Sequence, residues 1–176
     1  ASSMITTIYN DIRPLIIGKK FSTADLGYYE RGQRFSTTVS RNLDTAVQSV
    51  MFPVMAQAQD DKKQVRAMLR RAQTMGEFVI FPAMVGMSAV AEPMVRLLLT
   101  DKWLPCVPFL QICCIDFAFY PIHTANLQAI NAMGRSDVFL RLELIKKSYG
   151  LLILAATVFL FDSVYAIAWG AVASTL

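Results

Sequence analysis

Residues 107–122 read VPFLQICCIDFAFYPI, and the one aspartate in that run sets how the rest of the chain is read. The stretch is apolar enough for hydrocarbon, yet it holds Asp116. A charge inside a lipid-spanning segment costs several kcal/mol and normally faces a cavity or a partner. Comparable apolar runs lie at 78–91, 151–161 and 164–176, separated by short basic loops, with Glu77 and Glu92 at their edges and Arg13 and Arg41 in the helical stretches that precede them. A simple anchor has no need of such residues. The pattern predicts an all-α, polytopic transmembrane bundle that moves something polar.

Composition agrees. Hydrophobic residues make up 55% and charged residues 17%, and mean hydropathy is +0.42, against roughly 25% charge in soluble domains. The net charge of +4 is spread over several loops, which fits membrane orientation and anionic head groups and gives no nucleic-acid-binding patch. The 3 cysteines, with Cys113 and Cys114 adjacent, form neither a disulfide framework nor a metal or redox spacing; they read as small apolar fillers. Repeated acidic motifs, metal-ligand spacings, Gly-rich phosphate loops and a nucleophile beside a base are all missing. Neither catalytic residues, nor a metal, nor a cofactor is expected.

Apolar periodicity divides the chain as follows. A first span covers 2–17, with Ser3, Thr6, Asn10 and Arg13 on one stripe and Ile5, Ile8, Ile12 and Leu15 opposite. A polar loop is expected over 21–35. The second span, 36–59, again separates a polar face (Thr37, Arg41, Asp44, Gln48) from an apolar one, with a kink expected at Pro53. A charged interfacial helix start follows at 60–71, then a third span over 75–99 broken near Pro93. A fourth covers 107–133, a turn 134–137 offers Ser136 or Asp137 as a cap, and a fifth covers 138–161. The sixth, 163–176, is shorter than the roughly 20 residues a crossing takes. Because the chain also begins at Ala1 without the layout of a signal peptide, both ends are expected to be truncations. Residues 1–176 are thus expected to form one partial membrane transport domain of about five to six transmembrane helices. Lys and Arg are more abundant at 62–71 and 135–147 than in the other loops, which orients those two toward the cytoplasm.

Several stretches resemble a known family. The run Ile16-Ile17-Gly18-Lys19-Lys20-Phe21-Ser22-Thr23-Ala24-Asp25-Leu26-Gly27-Tyr28-Tyr29 is similar to the loop after the seventh helix of bacterial polysaccharide and oligosaccharide flippases, of the multidrug/oligosaccharidyl-lipid/polysaccharide exporter superfamily. Ala91-Glu92-Pro93, Lys102-Trp103-Leu104-Pro105 through Gln111, and Gly134-Arg135-Ser136-Asp137 through Lys147 match in the same order. The resemblance implies about twelve to fourteen helices in two pseudo-symmetric lobes, this piece being part of the second. It also implies a multi-pass protein of the bacterial inner membrane that carries a lipid-linked oligosaccharide, typically on undecaprenyl pyrophosphate, through a basic cavity. Polysaccharide polymerase and glycosyltransferases of the same pathway are the implied partners. Asn131, where many relatives have lysine, and Asp116, where a small or apolar residue is usual, depart from the pattern.

Arg13, Arg41, Asn10, Asp44 and Gln48 are the candidate substrate-binding residues of that cavity, although Arg41 could simply pair with Asp44. Asp116 and His123, with Tyr120 on the same face, are candidates for a proton relay or coupling site, the alternative being an interhelical hydrogen bond. Glu92 is a candidate proton or sodium site or merely marks a helix break. Tyr28, Tyr29 and Trp103 read as interface anchors. Two other functions remain open: an ion-coupled drug or metabolite exporter, which would want an acidic, aromatic pocket, and a membrane-embedded transferase using Asp116 and His123.

Overall fold

A computed structural model describes residues 12–57, 61–133, 136–161 and 163–175. The first span and Asn10 thus fall largely or wholly outside the described residues, as does the side chain of Ser136, one of the two expected caps. The described residues are all-α. Helix α1 covers 12–20, followed by α2 (Thr23–Gln57), α3 (Lys62–Ala89), α4 (Ala91–Leu99), a short 3-10 helix (Asp101–Cys106), α5 (Val107–Ala118), α6 (Tyr120–Ala132), α7 (Ser136–Leu160) and α8 (Val164–Thr175).

The polar loop expected over 21–35 is instead the start of α2, which runs on through Pro53 to Gln57. The cause is a reciprocal cap. The Asp25 amide donates to Ser22 Oγ at 3.1 Å, and the Ser22 amide donates back to Asp25 Oδ2 at 3.3 Å, so two of the helix's orphan donors are satisfied. Gly27 and Gly32, both within that expected loop, lie inside the helix. Tyr29 is therefore turned inward, 2% exposed, with its ring edge-on to Phe109 at 6.0 Å, and is a core residue rather than an interface anchor.

Helices α2 and α5 pack closely at the centre. Gly32, Ser36 and Ser40 form a stripe of small residues at four-residue spacing, which lets the backbones approach. A Cβ on Gly32 would lie 2.7 Å from the Leu110 amide nitrogen. Ser36 Oγ reaches the Leu110 carbonyl at 3.5 Å, and both serines are fully buried. Around this seam, Leu110, Cys113, Cys114 and Phe117 of α5 join Ile80 and Met84 of α3 and Val95 of α4. On the other side Ile17, Tyr29 and Phe109 meet Leu154, Ile167 and Val172 of α7 and α8. The cysteines are free and buried, as filler residues should be.

Two breaks come from prolines. Helices α3 and α4 meet at 71° around Val90, since Pro93 has no amide to bond the carbonyl four residues back. The expected fourth span over 107–133 is met by one membrane-length stretch, interrupted at the single residue Phe119 between α5 and α6. There Pro121 leaves the Phe117 carbonyl without its helical donor, and Ser40 Oγ of α2 donates to it at 3.2 Å instead. Among the described residues, Asp101–Asn131 is long and apolar enough to cross a membrane, and α3 with α4 passes as a bent pair. Large apolar side chains are exposed around the outside, among them Phe78 at 81%, Leu97 at 86% and Phe159 at 88%.

Candidate functional site: a basic cavity

A cavity of about 970 Å³ lies against α2 and is walled by residues of α1, α5, α6, α7 and α8. Its cations are Arg13 from α1, Arg31, Arg34 and Arg41 from α2, and Lys146 from α7. The α2 contribution follows from helix geometry: 31, 34, 38 and 41 are three or four residues apart and share one face, so three guanidiniums and the Thr38 hydroxyl point the same way. Arg31 is held over the ring of Trp103 at 5.2 Å, and Tyr28 supports that ring edge-on at 5.9 Å. Trp103 is thus a half-buried platform for a cation, not a free interface anchor.

Arg13 is only partly exposed, and its Nε is buried with no hydrogen-bond partner among the described residues. One Asp116 carboxylate oxygen, Oδ1, is in the same condition. Arg13 and Lys146 are the cations whose charge acts on Asp116. Lys146 Nζ lies 2.8 Å from His123 Nε2. An ammonium can only donate, so this contact has a neutral His123 accepting at Nε2. Lys147, next along α7, pairs with Glu143 at 2.7 Å.

Arg13, Arg41, Asp116, Tyr120 and His123 therefore line one cavity. Asp44, Gln48 and Glu92 are not among its walls. Asp44 is 6% exposed; it accepts from Thr124 Oγ1 at 2.8 Å and from Gln48 Nε2 at 3.5 Å, tying α2 to α6, and makes no ion pair with Arg41 among the described residues. Glu92 is exposed and paired with Arg96 at 2.9 Å, one turn on in α4, a contact worth little to stability. Asp44→Ala is accordingly expected to lower stability by about 1–3 kcal/mol, since it removes a buried acceptor that holds both Thr124 and Gln48. The measurement is the unfolding midpoint of the full-length protein in detergent; an unaltered midpoint would contradict this placement.

Arg31, Arg34 and Lys146 were not singled out from sequence. The first two become legible once Ser22 and Asp25 are read as a helix cap, because the helical face then extends back from Arg41. Lys146 has no such signal: only tertiary packing of α7 on α6 brings it to His123.

The polysaccharide biosynthesis protein family matches residues 1–108, and the chain belongs to that family. It is similar to an uncharacterized membrane protein in the cps region of Klebsiella pneumoniae, 24% identical over 82% of this chain and 30% of that protein. It is similar also to the lipopolysaccharide biosynthesis protein WzxC of Escherichia coli (strain K12), 22% identical over 83% of this chain and 30% of that one. A third relative is the teichuronic acid biosynthesis protein TuaB of Bacillus subtilis (strain 168), 24% identical over 78% of this chain and 29% of that protein. The chain spans about 30% of the length of these relatives. No solved structure matches it.

Proposed function

We propose that this chain forms part of the path by which a lipid-linked oligosaccharide of the undecaprenyl-pyrophosphate type crosses the bacterial inner membrane during surface polysaccharide synthesis. The observation that carries the reading is the cavity: five cationic side chains and neighbouring hydroxyls on a helical, externally apolar scaffold. A pyrophosphate with sugars attached cannot enter hydrocarbon unaided. Guanidiniums offer it paired, charge-assisted hydrogen bonds, and Thr37, Thr38 and Asn42, which also line the cavity, can bond sugar hydroxyls. The exposed Phe78, Leu97 and Phe159 suit a surface against lipid or against further helices, so the reading takes the protein as multi-pass. The family and the named relatives support a role in polysaccharide biosynthesis, and the excess of arginine over acid along the cavity favours an anionic cargo over a drug. In this reading the protein performs no bond-making chemistry.

The full-length protein reconstituted in vesicles should speed the movement of a polyprenyl-pyrophosphate oligosaccharide between leaflets, read by an impermeant reagent that destroys the exposed sugar. A neutral polyprenyl glycoside should not be moved. Equal rates with and without protein, or equal handling of both lipids, would defeat the proposal.

A further inference from the structure

The cations of the basic cavity do not form one cluster. Helix α2 is continuous from Thr23 to Gln57, so Arg31 and Arg41 lie about 15 Å apart along its axis. Two close contacts fix the level of each. Gly32 abuts Cys106, Phe109 and Leu110, which sets Arg31 beside the 3-10 helix that carries Trp103. Ser40 bonds the Phe117 carbonyl, which sets Arg41 level with Asp116, the residue on which the Arg13 and Lys146 charges act. A pyrophosphate, two phosphorus atoms joined by one oxygen, covers only a fraction of that distance.

Arg31 is held back from closing that gap. Its guanidinium lies over the Trp103 ring at 5.2 Å, and the ring is itself fixed: Tyr28 meets it edge-on and the Trp103 amide donates to the Thr100 carbonyl at 3.1 Å. Thr100 has φ 94° and ψ 162°, a backbone region essentially reserved for glycine, so strain is concentrated where α4 turns into the helix that presents Trp103. Arg34 stands one turn further along α2 on the same face, about 5–6 Å away at Cβ. Among the described residues neither arginine makes an ion pair, not even with Glu30 of the same wall, whereas Arg96 and Lys147 each hold a glutamate. The cavity therefore has a second cationic end, beyond the reach of a phosphate bound at the first.

We infer that Arg31 and Arg34 bind a carboxylate carried by a sugar of the cargo, so that this chain selects acidic oligosaccharides, with Trp103 as the positioning residue for Arg31. This rests on the reading of the basic cavity given above. A carboxylate suits the site because the ring contact draws on the charge of the guanidinium and leaves N–H donors for a bidentate partner. A neutral sugar would leave both cations facing hydroxyls alone.

Two probes test this on the full-length protein in detergent: a short-chain prenyl pyrophosphate bearing an oligoglucuronate, in which every sugar is an acid so that the position of the carboxylate does not matter, and its carboxyl-reduced twin. Wild type should bind the acidic probe about tenfold or more tighter than the twin, at one fixed ionic strength because salt screens the difference. Arg31→Gln and Arg34→Gln, both at exposed positions, should together shrink that preference to about twofold. Lys146→Gln should weaken both probes by the same factor and keep the preference. Trp103→Leu should lower the preference, and Trp103→Phe, which keeps a ring under the guanidinium, should restore most of it; equal loss in these two variants would remove Trp103 from the assignment. Equal binding of the two probes by wild type would overturn the inference, as would a preference that survives in the double glutamine variant. A loss in that variant equal for both probes would overturn it too, since all the arginines would then serve the pyrophosphate. A wild-type protein that binds neither probe nor inorganic pyrophosphate would instead sink the cavity reading itself.

Discussion

Arg13→Ala will weaken pyrophosphate binding by the full-length protein by about tenfold or more and reduce surface polysaccharide, with membrane insertion unchanged. A charge-assisted hydrogen bond to a guanidinium contributes roughly 1.5 to 3 kcal/mol, and about 1.4 kcal/mol is a factor of ten. Arg13 should deliver that amount because its side chain lines the cavity while lying only partly exposed, so an arriving anion pairs with it in a site partly shielded from solvent. Arg41 also lines the cavity but is exposed; Arg41→Ala should have a smaller effect that shrinks as salt is raised. Lysine at position 13 should restore only part of the loss, since it presents a point charge without the fork. Wild-type affinity and export in both alanine variants would remove these residues from substrate binding.

Gly32→Val should prevent stable folding altogether. At this position a β-carbon would sit 2.7 Å from the Leu110 amide nitrogen, 3.0 Å from Phe109 Cβ and 3.1 Å from the Cys106 carbonyl oxygen. Two of those atoms are backbone, so they cannot swing aside and the helices must part. Even Gly32→Ala should cost about 1–3 kcal/mol, opening the α2–α5 seam and exposing Ser36 and Ser40. Gly86 of α3, with nothing within 4 Å of the same virtual atom, is the matched control. Alanine there should stabilise by up to about 1 kcal/mol, since glycine is the poorer helix former. Unfolding midpoints in detergent decide the matter, and equal effects at the two glycines would show that α2 and α5 are not so closely apposed.

Much of this was legible in sequence for a definable reason. Helical periodicity marks the polar faces of Arg13 and Arg41 wherever they finally dock, and the two residues do meet on one cavity because amphipathic helices turn like to like. Prolines announce breaks, but they act on the carbonyl four residues back, which is why the bend falls at Val90 rather than at Pro93. The start of α2 reads as a loop because glycine and charge are shared vocabulary of loops and of closely packed helices; the Ser22–Asp25 pair is the discriminating signal. Asp44 reads as a cavity residue because it shares a helical face with polar neighbours, yet a polar face can also be satisfied by another helix, here through Thr124. Glu92 was drawn in by its charge near an apolar run, and an i, i+4 arginine accounts for it. The His123–Lys146 contact joins residues 23 positions apart, and no local pattern encodes it.

The junction at Phe119 has a mechanical consequence. In an uninterrupted helix, bending is resisted by a full ladder of bonds; between α5 and α6 a rung is missing, and its carbonyl is held sideways by a serine on another helix. Any load on this rod will therefore concentrate at one point, leaving α5 fixed in the core while α6 pivots. Ser40 secures the α5 side of that joint, since Phe117 belongs to α5, while the α6 side is tied to α2 through Thr124 and Asp44 at 2.8 Å. Since α6 carries His123, a turn of α6 about that joint would move this part of the basic cavity's wall and would have to break the Thr124–Asp44 bond as it did so.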